Sequence, residues 1–92
     1  MITAIVLIHA DVHQIPETAQ AVADIAGVAE VYSCAGDVDL IAKLKVRDHG
    51  DIAEVVTGQI NRLPGVTRTA THIAFRSYSS SQIEGGFSIG EI

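Results

Sequence analysis

The sequence predicts an α+β domain with elements in the order βαββαβ, an antiparallel sheet carrying both helices on one face. Three observations carry this. Four stretches, 2–10, 28–35, 38–47 and 66–77, show the alternating or doubly apolar pattern of strands. Two stretches between them, opening near Pro16 and at Asp48, show the spacing of packed helices. The two halves also repeat: Gly27-Val28 ends one helix and opens a strand, and Gly65-Val66 does the same 38 residues later. A βαβ unit written twice is the split arrangement of the ferredoxin-like fold.

The first strand is apolar on both sides, with Thr3, Ile5, Leu7 and His9 on one and Ile2, Ala4, Val6, Ile8 and Ala10 on the other. A strand buried above and below is a central one. A polar connection follows, Asp11-Val12-His13-Gln14. Pro16 suits the start of a helix, where its missing N–H costs nothing, and Glu17 suits the positive end of the dipole. Ile15, Ala19, Val22, Ala23 and Ala26 form the buried stripe, and Gly27 is the predicted stop.

The second strand spans 28–35 and the third 38–47. The third places Val38, Leu40, Ala42, Leu44 and Val46 on one face and Asp39, Ile41, Lys43, Lys45 and Arg47 on the other. Asp48 then caps a helix, with Asp51 completing a capping box. Ile52, Val55, Val56, Ile60 and Leu63 give one continuous stripe, which Pro64-Gly65 ends. The last strand, 66–77, is rich in Thr and other β-formers.

Residues 1–77 form one folded domain on this reading. Beyond it, 78–92 opens with serines yet holds Ile83, Phe87, Ile89 and Ile92 between glycines. That is more apolar content than a disordered tail carries, so an extended segment pairing with a neighbouring subunit is expected.

Of the 92 residues 48% are hydrophobic, more than a single small core consumes. With both helices on one sheet face, the other face is left bare, and a bare apolar sheet marks an interface. Two such sheets packed face to face make a dimeric α/β barrel, so a homodimer is expected. The formal net charge of −5 argues against a nucleic-acid surface. One cysteine excludes an internal disulfide and a cysteine zinc motif. No apolar run approaches the roughly 18 residues of a membrane span, and the start lacks the charge of a signal peptide. A cytoplasmic protein is expected.

The candidate site centres on Cys34-Ala35-Gly36-Asp37-Val38-Asp39, a turn between two strands with two carboxylates at its tip. Such a turn is most simply a solvated connection. Thr67, Thr69 and Thr71, on one face of the last strand, offer hydroxyls that complete a small polar pocket beside it. The four histidines, His9, His13, His49 and His72, share no helix at metal-ligand spacing, and none forms a motif with Cys34. No serine lies in a nucleophile elbow, and Gly85-Gly86 lacks the strand and helix of a phosphate loop. No metal or cofactor is expected.

Gly36-Asp37-Val38-Asp39 before a strand, then Leu63-Pro64-Gly65-Val66, then Thr69-Ala70-Thr71 follow in this order around one βαββαβ frame. This resembles the effector domain, called RAM, of the Lrp/AsnC (leucine-responsive, feast/famine) transcription regulators, over about residues 2 to 77. The resemblance implies dimers built through the sheets and assembling into tetramers or octamers, with an amino-acid effector bound between subunits. The matching positions are Gly36, Asp37 and Asp39 at the turn, Thr69 and Thr71 on the last strand, and His49 and His72 where the response to ligand is tuned. An acidic side chain would pair the effector's ammonium, and turn N–H groups and Thr hydroxyls would hold its carboxylate. The chain departs from the family at Val38 and Leu40, where an aromatic is frequent, and at His72, where Tyr is common.

Family regulators carry a helix-turn-helix domain ahead of the first strand, whereas here Met1 abuts it. The expectation is an effector-binding and oligomerisation module without its own DNA-reading part, acting in transcription regulation with full-length regulators as partners. The alternative is a small dimeric α/β-barrel enzyme, of monooxygenase or isomerase type, using His9 or His72 as acid or base. Fold alone admits both. The turn and the Thr-x-Thr favour the module, not an enzyme.

Overall fold

β1 runs through the sheet over Ile2–Ala10. β3 (Leu40–Val46) lies antiparallel on one side of it and β4 (Val66–Ala74) antiparallel on the other. β2 (Val28–Ser33) pairs with the outer side of β3, giving the order β2-β3-β1-β4. The computed structural model describes residues 1–80. The split βαβ topology is thus as predicted, with α1 (Ile15–Ala23) and α2 (His49–Val56) as the two crossovers.

Alternation in β1 sets the layers. Ala4, Val6 and Ile8 are fully buried, whereas Thr3, Ile5, Leu7 and His9 are half-buried. The buried set meets Leu40, Ala42 and Leu44 of β3, Val22 of α1 and Ile52, Val55 and Val56 of α2. Each large aliphatic side chain taken fully out of water contributes about 1.5–3 kcal/mol. The other face is bare in the protomer, as the pattern predicts, but it is not uniformly apolar. Register places Lys43 and Lys45 of β3 beside Ile5 and Thr3, and Arg68 of β4 beside His9.

The element ends differ from the sequence reading, each for a local reason. α1 stops at Ala23, and Gly27 sits beyond it in a turn closed by Val28 N–H donating to the Ile25 carbonyl at 3.1 Å. α2 stops at Val56, not Leu63. A Cβ on Gly58 would lie 2.5 Å from the Glu54 carbonyl oxygen, so the chain uses this residue to turn, then makes a short 3-10 turn at Ile60–Arg62. Ile60 is fully buried nonetheless, so the apolar stripe reports packing rather than a continuous helix. β4 ends at Ala74 because β1, its partner, begins at Ile2. The tail predicted over 78–92 has no regular structure at 78–80, and the rest lies outside the described residues.

Two close approaches fix the end of the sheet where β1 exits. The Gly65 carbonyl accepts the Asp11 N–H at 2.8 Å. A Cβ on Gly65 would collide with Thr18 Oγ1, so only glycine lets α1 pack on this turn. Asp48 caps α2 as predicted, and its N–H donates back to Asp51 Oδ2 at 3.3 Å.

Candidate functional site

The β2–β3 connection is a loop of six residues rather than a tight turn. Cys34 N–H donates to the Asp39 carbonyl at 2.9 Å and closes it, and β3 begins only at Leu40. Gly36 takes φ +130, a value side chains disfavour, at the tip. Asp37 follows it, exposed.

Asp39 lies just ahead of β3 rather than within it, and its side chain is engaged with β1. Its N–H donates to the Ile8 carbonyl at 3.0 Å, and its Oδ2 accepts the Ala10 N–H at 2.8 Å. β1 outruns β3 here, so Ala10 has no β3 carbonyl to meet. The Asp39 carboxylate supplies the missing acceptor and ties the loop to the sheet's central strand. Asp37 has no such tie and presents its carboxylate to solvent.

The threonines lie on the other edge. Thr69 and Thr71 oppose Ile8 and Val6 and so share the helix-side face, while His72 opposes Ile5 and stands on the bare face. Leu40 and Thr69 both pair with Ile8 from opposite sides, which sets the loop and the threonines about 10 Å apart across the sheet. Thr69 Oγ1 donates to Asn61 Oδ1 at 2.8 Å. Thr67 falls in the bulge where the β1–β4 register shifts, and its hydroxyl donates to the His9 carbonyl at 3.0 Å. His49 opens α2 at the far end of β3, about 20 Å along the strand from the loop.

The seven predicted site residues therefore occupy four places in one protomer: the loop (Gly36, Asp37, Asp39), the helix-side edge (Thr69, Thr71), the bare face (His72) and the start of α2 (His49). None of them lines any of three surface hollows of about 360, 390 and 210 Å³. Sequence reasoning missed the Asp39–Ala10 tie, the Thr69–Asn61 bond and the pairing of His9 with Arg68. In that pair the Arg68 Nη2 lies 3.2 Å from His9 Nε2. A guanidinium only donates, so any hydrogen bond in this contact has Nε2 as its acceptor. The opposition of His9 and Arg68 in the β1–β4 register is the signal, and it needs the pairing to be seen.

A sheet bare on one face, an exposed loop with two carboxylates and an edge strand rich in hydroxyls leave the candidate groups spread over several edges rather than gathered in a buried centre. The chain belongs to the Lrp/AsnC ligand binding domain family, whose sequence model matches residues 3–83. It is 34% identical over 59 residues to an uncharacterised HTH-type transcriptional regulator of Pyrococcus horikoshii, spanning 64% of this chain and 39% of that protein. The chain therefore spans well under half the length of that relative. Among solved structures it is similar to TTHA0845 of Thermus thermophilus, at 42% identity and a TM-score of 0.82, over 87% of this chain and all of that one. The E. coli AsnC structure shares the fold at a TM-score of 0.79 and 16% identity, over 86% of this chain and 54% of that one. A Neisseria meningitidis regulator solved as an L-Met complex shares it at 0.76 and 14%, over 86% of this chain and 53% of that one. The matching family is a ligand-binding domain and the curated relative is a transcriptional regulator rather than an enzyme, which favours the binding module over the α/β-barrel enzyme. Among the described residues no helix is long and apolar enough to cross a membrane.

Proposed function

We propose that this chain is the effector-binding and oligomerisation module of an Lrp/AsnC-type transcription regulator, and that its effector is a free amino acid held at the 36–39 loop. The observation that carries the reading is the division of labour between the two carboxylates. Asp39 is occupied by the Ala10 N–H and orders the loop, while Asp37, one residue after the left-handed Gly36, is left to pair an ammonium. A single protomer cannot complete the site, because Thr71 lies on a different edge and His49 at the far end. A second copy supplies the hydroxyls for the effector's carboxylate, and His49 and His72 from neighbouring copies tune the response. A homodimer through the bare sheet, assembling further to tetramers or octamers, brings these edges together.

The domain works in the cytoplasm on other proteins, full-length regulators of the family among them, and these 92 residues do not themselves hold duplex DNA. The family's ligand-binding character and the methionine complex of a regulator with the same fold support the choice of ligand class. A thermal-shift panel of the twenty amino acids tests it. One or a few should raise the Tm in a concentration-dependent way, since a ligand at 100 times its Kd stabilises the folded state by about 2.7 kcal/mol. No shift with any of them contradicts the reading and leaves an assembly module without an amino-acid effector.

A further inference from the structure

The bare face has a one-sided charge. Lys43 and Lys45 of β3 and Arg68 of β4 stand on it, together with the imidazoles of His9 and His72. The carboxylate that the strands place there is Glu30 of β2, in register with Lys43, and it accepts a hydrogen bond from the Tyr32 hydroxyl. That bond is the main reason the Tyr32 phenol is held above its ordinary value, so Tyr32 stays protonated through neutrality. His9 is half-buried, and its Nε2 lies 3.2 Å from Arg68 Nη2. Other charged groups approach this end of β1 without pairing the ring. From the β3 side comes Asp39, whose Oδ2 holds the Ala10 N–H, and Asp37 is exposed on the loop. Lys43 sits further along β3, opposite Ile5. On the chain leaving β1, Asp11 Oδ1 accepts the His13 N–H. Among the described residues the His9 ring pairs with no carboxylate.

A neutral imidazole accepts from a guanidinium, whereas an imidazolium only donates and repels it. In a free protomer water screens that repulsion, and the exposed Arg68 side chain is free to swing away. Between two packed sheets neither cation reaches water, and an uncompensated buried charge is strongly destabilising. We propose that the His9–Arg68 pair makes the homodimer pH-sensitive: two copies join through this face while His9 is neutral and separate when it is protonated. The switch rests on the face-to-face homodimer of the proposed function and adds its regulation. Histidine as a residue type changes charge between about pH 5 and 8. Separated protomers bind protons more readily than the dimer, so the dimer is strongest above that range and is lost as the pH falls through it. Two-fold symmetry places the pair in the joint twice, so separation takes up about two protons per dimer.

Sedimentation velocity over a dilution series of the full chain tests it from about pH 8 to about pH 5.5, a window above the ordinary carboxylate range. The dimer Kd should rise by about 100-fold across it, roughly tenfold for each of the two rings. His9→Gln keeps an acceptor for Arg68 and cannot take a charge. It should dimerise as the parent does at the alkaline end and hold its Kd to within about threefold at the acid end. Arg68→Gln, which removes the repelling cation, should lessen the change. His72→Gln alters the other imidazole of the face, which stands opposite Ile5, and should keep most of it. Circular dichroism at the acid end verifies that each protomer stays folded. A parent dimer whose Kd is indifferent to pH overturns the switch and leaves the homodimer standing. The full change persisting in His9→Gln overturns the assignment to this pair. Should His9→Gln fail to dimerise at all, Arg68→Gln decides, and the full change persisting there overturns the pair's role. A parent already monomeric and folded at the alkaline end overturns the homodimer and the switch with it.

Discussion

The Asp39 carboxylate accepts the backbone N–H of Ala10 at 2.8 Å, joining residues 29 apart in sequence across the end of the sheet. It takes the place of a strand carbonyl that β3 does not extend far enough to offer. Removing it leaves Ala10 N–H unpaired in a partly buried position. Asp39→Ala should cost about 1–3 kcal/mol, the penalty for an orphaned donor. Asp39→Asn keeps an acceptor oxygen and should cost less than the alanine change. Urea unfolding of both variants checks this, and an alanine variant as stable as the parent contradicts the structural role.

Gly65 is held by a close approach rather than by its backbone angle. A Cβ there would collide with Thr18 Oγ1, on a helix residue only 4% exposed. Gly65→Ala should destabilise by about 1–3 kcal/mol, as overpacking does. Thr18→Ala removes the obstructing hydroxyl, so the double variant should recover part of that loss. A double-mutant cycle by thermal unfolding measures the coupling. Strictly additive losses contradict the close-packing account.

The bare face carries Ile5, Leu7 and Ile41 at its centre. If it is the homodimer interface, Leu7→Glu places charges at the centre of the joint. Light scattering of the parent should show a dimer or larger assembly, and of the variant a shift to monomer. A parent that stays a folded monomer at low micromolar concentration contradicts the assembly.

Duplex DNA should bind these 92 residues weakly if at all. Phosphate contacts dominate such affinity, and the chain's formal charge is −5. Fluorescence anisotropy with a labelled duplex checks this. Submicromolar, salt-sensitive binding contradicts it.

Most of the fold was legible because its signals are periodic. The doubly apolar Ile2–Ala10 identified the central strand, and the repeat of Gly-Val after each helix identified the split topology. What periodicity cannot show is where a stripe changes backbone type. Ile60 keeps helical spacing with Ile52 and Val56, yet the chain turns at Gly58 between them. The loop was legible as a place from Gly36 and Asp37. The separate duties of its two aspartates were not, because Asp39 is committed by an N–H on another strand. Faces on β4 were likewise set by pairing: Thr71 and His72 are neighbours in sequence and stand on opposite sides of the sheet.

The assignment of the effector's ammonium to Asp37 is tested most directly by calorimetry. The probe is the amino acid that gives the largest thermal shift, titrated into the parent, Asp37→Asn and Asp39→Asn with assembly checked by light scattering. Asp37→Asn should lose about 2–5 kcal/mol of binding, the cost of breaking a desolvated charge pair. Asp39→Asn should lose less, through a loosened loop. Undiminished affinity in Asp37→Asn, with the assembly intact, contradicts the account and places the amino acid away from the loop.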